Sequence, residues 1–127
     1  MTVGFSTANL VNNWLNMLRG TAFTAPTGIY AQVHIGDPGA TGASNQSALT
    51  TRSSVTFSAA SSGAIALSNT PSFTMTATET ISHVSYWDAA TSGNFLWSAA
   101  LTTPKSVSAT DVLQLTSVGV SLSPLAA

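Results

Sequence analysis

The stretch from Glu79 to Lys105, ETISHVSYWDAATSGNFLWSAALTTPK, reads as two strands joined by a tight turn. Ile81 to Asp88 forms the first strand, Ala89 to Gly93 the turn, and Asn94 to Leu101 the second strand. Phe95, Trp97, Ala99 and Leu101 alternate with their neighbours, the period of a strand with one buried face. This hairpin sets the fold class as antiparallel β. It also holds Glu79, His83 and Asp88, so a catalytic site would have to be sought here first.

Working outward, short strands recur on both sides. Ile29 to Ile35 alternates, with Ile29, Ala31, Val33 and Ile35 on one face and Tyr30, Gln32 and His34 on the other, which is expected to be wet or in contact with a partner. Arg52 to Ala59, with Val55 and Phe57 inward, turns through Ala60 to Gly63 and pairs back as Ala64 to Asn69. Phe73 and Met75 mark a further strand, Thr102 to Ser108 reads as a connection containing Pro104, and Asp111 to Thr116 and Val118 to Leu122 close the set. About seven or eight strands at such spacing predict a mainly β domain, a single antiparallel sandwich or small jelly-roll-like barrel. The whole chain, 1–127, is expected to be one domain, with the β-sandwich over 28–123.

One helix precedes the strands, predicted over 6–19. Ser6 is a suitable N-cap and Gly20 suits a left-handed C-terminal position. Leu10, Val11, Trp14, Leu15 and Leu18 form an apolar stripe opposite Asn9, Asn12, Asn13 and Asn16. Asparagine is a poor helix former, so the stripe must hold the helix, either on its own sandwich or in a subunit contact. Residues 36–51, GDPGATGASNQSALTT, form a long loop and are expected to be an arm that docks on a neighbour.

Composition narrows the function. Only 6% of the 127 residues are charged and the net charge is −1, which gives no footprint for nucleic acid or an anionic membrane. No apolar run approaches the ~18 residues of a membrane span, and the N-terminus lacks a signal-peptide pattern. Cysteine is absent, so there is neither a disulfide framework nor a thiolate metal site. A surface so poor in charge promotes association, and points to an exterior covered by copies of itself or by a partner.

The chemistry-bearing residues point the same way. His34 and His83 have no ligand-spaced partners, and Asp37, before Pro38 and Gly39, reads as a turn residue rather than a metal ligand. No GxSxG elbow, phosphate loop or dinucleotide fingerprint occurs. Asp37, Glu79, Asp88 and Asp111 each lie beside a turn or strand end, where a carboxylate caps backbone amides. No catalytic residue, metal or cofactor is expected. Trp97 and Trp14 read as core. Tyr86 and Trp87 are adjacent and face opposite sides of their strand, so one of them leaves the core of a simple sandwich, toward the helix, a subunit or a ligand.

The helix leading into TAFTAP, the run IYAQVHIGDPGATG, Arg52 before VTFSAASSGAI, the Glu79–Lys105 hairpin and the ending LTSVGVSLSP together resemble a family of short virion proteins of tailed bacteriophages and prophages. Its members are labelled tail fibre or minor tail proteins. The resemblance spans nearly the whole chain. It implies a structural virion component, assembled in the host cytoplasm, and supplies no catalytic residues.

Two placements follow from that resemblance. The first is a capsid decoration or cement protein, a homo-oligomer (a trimer) over shell junctions, bound to the major capsid protein or other virion proteins. It is preferred because the chain lacks the repeats or coiled coil of a fibre shaft. The alternative is a minor tail or tail-fibre component at the tail tip, engaged in host attachment. A small hydrolase or lectin acting alone is the third class. The expected interface residues are Leu10, Trp14 and Leu18 on the helix, Asp37 and Pro38 in the long loop, Arg52, and the aromatic pair Tyr86 and Trp87.

Overall fold

The Glu79–Lys105 hairpin is the centre of the fold in the computed structural model, which describes residues 3–123. The expected domain of 1–127 extends beyond these bounds at 1–2 and 124–127. Among the described residues there are nine strands: β1 (Gly4–Phe5), β2 (Ile29–His34), β3 (Ser53–Val55), β4 (Ala64–Ala66), β5 (Ser72–Thr74), β6 (Glu79–Trp87), β7 (Phe95–Val107), β8 (Val112–Gln114) and β9 (Gly119–Ser121). A five-stranded sheet runs β1-β7-β6-β2-β3, and two ribbons pair β4 with β9 and β5 with β8. Every pairing is antiparallel. The large sheet ends at β1 and β3, so there is no closed barrel.

The core lies between the large sheet and the ribbons. Ala31, Val33, Val84, Tyr86 and Trp97 come from one face of the sheet, and Phe73, Met75 and Leu115 from the other layer. Tyr86 stacks on Trp97 with ring centroids 4.4 Å apart. The expected core role of Trp97 holds. The alternation of β2 also holds, yet both of its faces are closed: Ala31, Gln32, Val33 and His34 are all buried. On the face expected to be wet or contacting, His34 is covered by the loop that follows β2 and Gln32 is met by Arg52.

That loop, 36–51, is not an extended arm. Ile35 donates to the Asn45 carbonyl (2.9 Å), Ser47 to that of Val33 (3.3 Å), and Ser44 to that of Pro38 (2.8 Å), so the chain returns along the end of β2. Asp37 accepts from the Gly39 amide at 2.9 Å, the turn role expected of it. Glu79 receives the Ser47 hydroxyl and the Ala48 amide and pins the loop's far end. Gly42 adopts φ +73, and an added Cβ would lie 2.3 Å from the Phe95 ring. A side chain at this position would collide with Phe95, so the loop needs a glycine where it passes the ring.

Strand β7 runs on to Val107, through the segment expected to be a connection. Ile81 pairs with Lys105 and His83 with Ala100, which leaves Leu101 to Pro104 opposite Ser82 as a bulge. Pro104 cannot donate to a ladder, and the bulge accommodates it. The turn expected at Ala60 to Gly63 is present and the chain pairs back as expected, with an antiparallel bridge between Phe57 and Leu67 and the Ser58 and Ser68 amides donating to the Ala66 and Thr56 carbonyls; on its other side β4 pairs with β9, from the far end of the chain.

The helix spans Thr7–Met17, shorter than expected, and opens as a π-helical turn over Thr7–Val11 before α1 (Asn12–Met17). Ser6 caps it, its side chain accepting from the Asn9 amide. It ends as expected at Gly20, φ +87, with Gly20 donating to the Met17 carbonyl and Thr21 to that of Asn16. These crossed bonds are those of a Schellman ending.

Candidate interaction surface

Two clusters draw together the residues that the sequence singled out. The first is polar and sealed. His34 and Ser85 are both fully buried, with 0% exposure. The Nδ1 of His34 faces the Ser44 carbonyl at 2.9 Å and so must donate to it. Its Nε2, 2.7 Å from Ser85 Oγ, then accepts the Ser85 hydroxyl proton. Ser85 Oγ in turn accepts from Trp87 Nε1 at 2.8 Å. Burial lowers the pKa of His34; hydrogen bonds to the backbone of Ser44 and Asn45 oppose it in part, and the charges of His83 and Arg52 add weaker downward effects.

Arg52 completes the cluster. Its guanidinium carbon is 3.9 Å from the centroid of the Trp87 ring. Its Nε donates to Gln32 Oε1 at 3.1 Å, and its Nη1 to the carbonyls of Ala89 (2.9 Å) and Ser92 (2.6 Å). Trp87 does leave the core face, as the alternation of Tyr86 and Trp87 required, but it meets Arg52, Ser85 and the Phe95 ring rather than solvent. Chemically, Ser85 and His34 have the contact of a nucleophile and its base, with a carbonyl as the orienting group. With neither side chain exposed and the Ser85 oxygen already accepting from Trp87, the contact holds the fold together.

The carboxylates are likewise spent on turns. Asp88 accepts from the Asn94 amide (2.7 Å) and side chain (2.8 Å), and Asp111 accepts from the Ser108 amide (2.8 Å). With Asp37 and Glu79, this accounts for all four acidic residues of the chain. His34 and His83 do face each other across β2 and β6. Even so, no group of three potential metal ligands exists among the described residues.

The second cluster is apolar and open. The helical stripe divides: Leu10 is buried and Trp14 packs against the core, edge-on to Phe5 at 5.4 Å, while Leu15 and Leu18 point away. Leu18 is 87% exposed. Together with Phe5, Val11, Met17 and Leu122 they line a groove of about 500 Å³ beside Trp14. A separate groove of about 590 Å³ lies where the two layers part, with Trp97, Leu101, Leu113 and Val118 on its walls.

Of the eight expected interface residues, Leu10, Pro38, Tyr86 and Trp87 are buried, Trp14, Asp37 and Arg52 half-buried, and only Leu18 is prominently exposed. Phe5, Met17 and Leu122 were not singled out by sequence. Their only signal is the apolar character of isolated residues beside the helix stripe. Asn9, assigned to the polar helix face, instead reaches the sheet and donates its side-chain amide to the Phe95 carbonyl at 2.9 Å.

The scaffold is thus a charge-poor β protein whose four carboxylates and Arg52 bond its own loops and turns, with one apolar face left open beside the helix. The chain belongs to the phage family described as Podophage GP4 fiber I protein gp80, whose model matches residues 4–123. It is therefore a phage fibre protein and a component of the virion. No curated protein matches the chain. Membership in a fibre family overturns the preferred expectation of a capsid decoration protein bound to the major capsid protein, and favours the tail-fibre alternative. The absence of a coiled coil misled because it argues only against a shaft, whereas a fibre also contains globular units.

Proposed function

We propose that this chain is a non-catalytic, globular subunit of a tail fibre, acting as one folded unit at the tail tip, where it contributes to host attachment through contacts with other virion proteins. The family match over residues 4–123 carries the fibre placement. The engagement of every carboxylate in holding a turn or a loop, together with the sealed His34–Ser85 contact, supports the absence of catalysis. In this reading Leu18 meets the partner. Leu10 and Trp14 hold its helix, and Asp37, Pro38, Arg52, Tyr86 and Trp87 stiffen the sheet behind it.

Imaging of whole particles with a label on this chain tests the placement. The expected result is a handful of copies confined to the tail, with adsorption lost and heat stability retained in particles lacking the gene. Hundreds of copies spread over the shell, with shell stability lost on deletion, would reject it.

A further inference from the structure

We propose that the groove where the two layers part, walled by Tyr86, Trp97, Thr116 and Ser117, binds a short neutral saccharide. The inference rests on the attachment role proposed above and deepens it by naming a ligand class. Tyr86 and Trp97 are only 3% and 8% exposed and stack with ring centroids 4.4 Å apart. Both line this groove of about 590 Å³. Among the described residues, nothing in the chain bonds to the Tyr86 hydroxyl or to Trp97 Nε1. Trp87 is the contrast, since its Nε1 donates to Ser85. Ser98 Oγ is the one side-chain polar atom, among the described residues, that is both shut off from water and without a partner. The Tyr86 and Trp97 atoms are therefore not sealed, and the groove is the open space that their side chains line. Polar atoms on side chains so deeply covered meet little water, so a ligand that bonds to them gains more than at an exposed site. Burial raises the pKa of the Tyr86 hydroxyl, which keeps it protonated and able to donate.

The chemistry of the ligand follows from the walls. Thr102, Thr103, Thr116, Ser117 and Ser121 add hydroxyls that bond to no other described residue. Lys105 is the only charged residue of the lining. Such walls offer no carboxylate or imidazole for a metal ion, and too few cations for a nucleotide or polyphosphate. A purely apolar occupant would leave the hydroxyl and N–H groups without partners. A strand of another protein meets a poor edge here, because β7 carries Pro104 and the bulge at Leu101 to Pro104 along this stretch. What fits is a molecule whose many hydroxyls both donate and accept, with a C–H face to lie on Phe5, Leu101 and Val118. A saccharide of two or three rings has that chemistry, and the groove lies within the range of about 300–1,000 Å³ for small-molecule sites.

The test is titration of the full, isotope-labelled chain, followed by the indole N–H signals of Trp14, Trp87 and Trp97. The probes are neutral di- and trisaccharides of glucose, galactose, mannose and rhamnose, each to about 50 mM. The Trp97 signal is expected to move with a Kd of about 0.1–10 mM, while those of Trp14 and Trp87 stay in place. Tyr86→Phe and Thr116→Val should each weaken binding about 3- to 10-fold. Both should keep the parent's melting temperature, because neither hydroxyl bonds to the rest of the described chain. A Trp97 signal that no probe moves, or binding unchanged in both variants, overturns the site and leaves the tail placement intact. A neutral peptide of serine, threonine and glycine that moves the signal as strongly overturns the assignment to a saccharide. Saccharide binding by a chain that imaging locates on the shell would reject the attachment reading and leave the site standing.

Discussion

The guanidinium of Arg52 covers the indole of Trp87, its central carbon 3.9 Å from the ring centroid, while its nitrogens reach Gln32 and the carbonyls of Ala89 and Ser92. One side chain thus joins β2, the end of β6 and the turn of the central hairpin. Arg52→Ala is expected to cost on the order of 1–3 kcal/mol, from the cation–π contact and the charge-assisted bonds together. Arg52→Lys should recover less than half of that, because an ammonium cannot reproduce the planar fork. Chemical denaturation measures both, and faster amide exchange confined to the 88–94 turn would locate the effect.

His34 makes stability depend on pH. Its folded-state pKa lies below the ordinary value because burial penalises the charged imidazolium. Below about pH 6.5 the unfolded chain therefore binds a proton that the folded chain does not, so stability is full above that pH and falls as the pH drops toward the folded pKa. The slope from this single group is at most about 1.4 kcal/mol per pH unit. His34→Gln should lower stability at neutral pH and flatten the profile below about pH 6.5. Denaturation midpoints across that range check it, and an unchanged slope in the variant would assign the effect elsewhere.

Gly42→Ala is expected to destabilise by about 2–4 kcal/mol, since the residue sits at φ +73 and its new methyl would strike the Phe95 ring. Pairing it with Phe95→Leu should recover part of the loss by relieving the clash but not the backbone strain. Thermal melts of the two single variants and the double variant separate the contributions.

Asn69 closes a sheet edge. Its side-chain oxygen accepts from the Thr56 amide at 3.0 Å and its nitrogen donates to the Ser54 carbonyl at 3.0 Å, so one amide group takes the place of a neighbouring strand beside β3. Asn69→Ala is expected to cost about 1–2 kcal/mol and to speed aggregation on storage, because it leaves edge groups free to pair with another chain. Turbidity against time, compared with Asn69→Asp, which keeps only the acceptor, measures the effect.

Much of this was legible in the residues because it depends on near neighbours. The Glu79–Lys105 hairpin, the Ser6 cap, the Gly20 ending and the turn roles of Asp37, Asp88 and Asp111 each follow from periodicity or from a hydrogen bond spanning a few positions. The surface was legible only in part. Leu18 is exposed on its helix, but the stripe it belongs to divides after Trp14, and nothing local marks where a stripe turns from core to solvent.

The sequence by itself determined an antiparallel β protein, poor in charge, with a capped N-terminal helix and carboxylates placed to hold turns. Only the tertiary structure decided that residues 36–51 fold back over His34, that β4 pairs with β9, that Arg52 covers Trp87, and that Phe5 and Leu122 join Leu18 in one face. These arrangements bring together residues 10 to more than 100 positions apart, as His34 with Ser44 in a hydrogen bond or Phe5 with Leu122 along one groove. They are settled by which surfaces remain to be covered once the hairpin has formed, and no local preference along the chain encodes that.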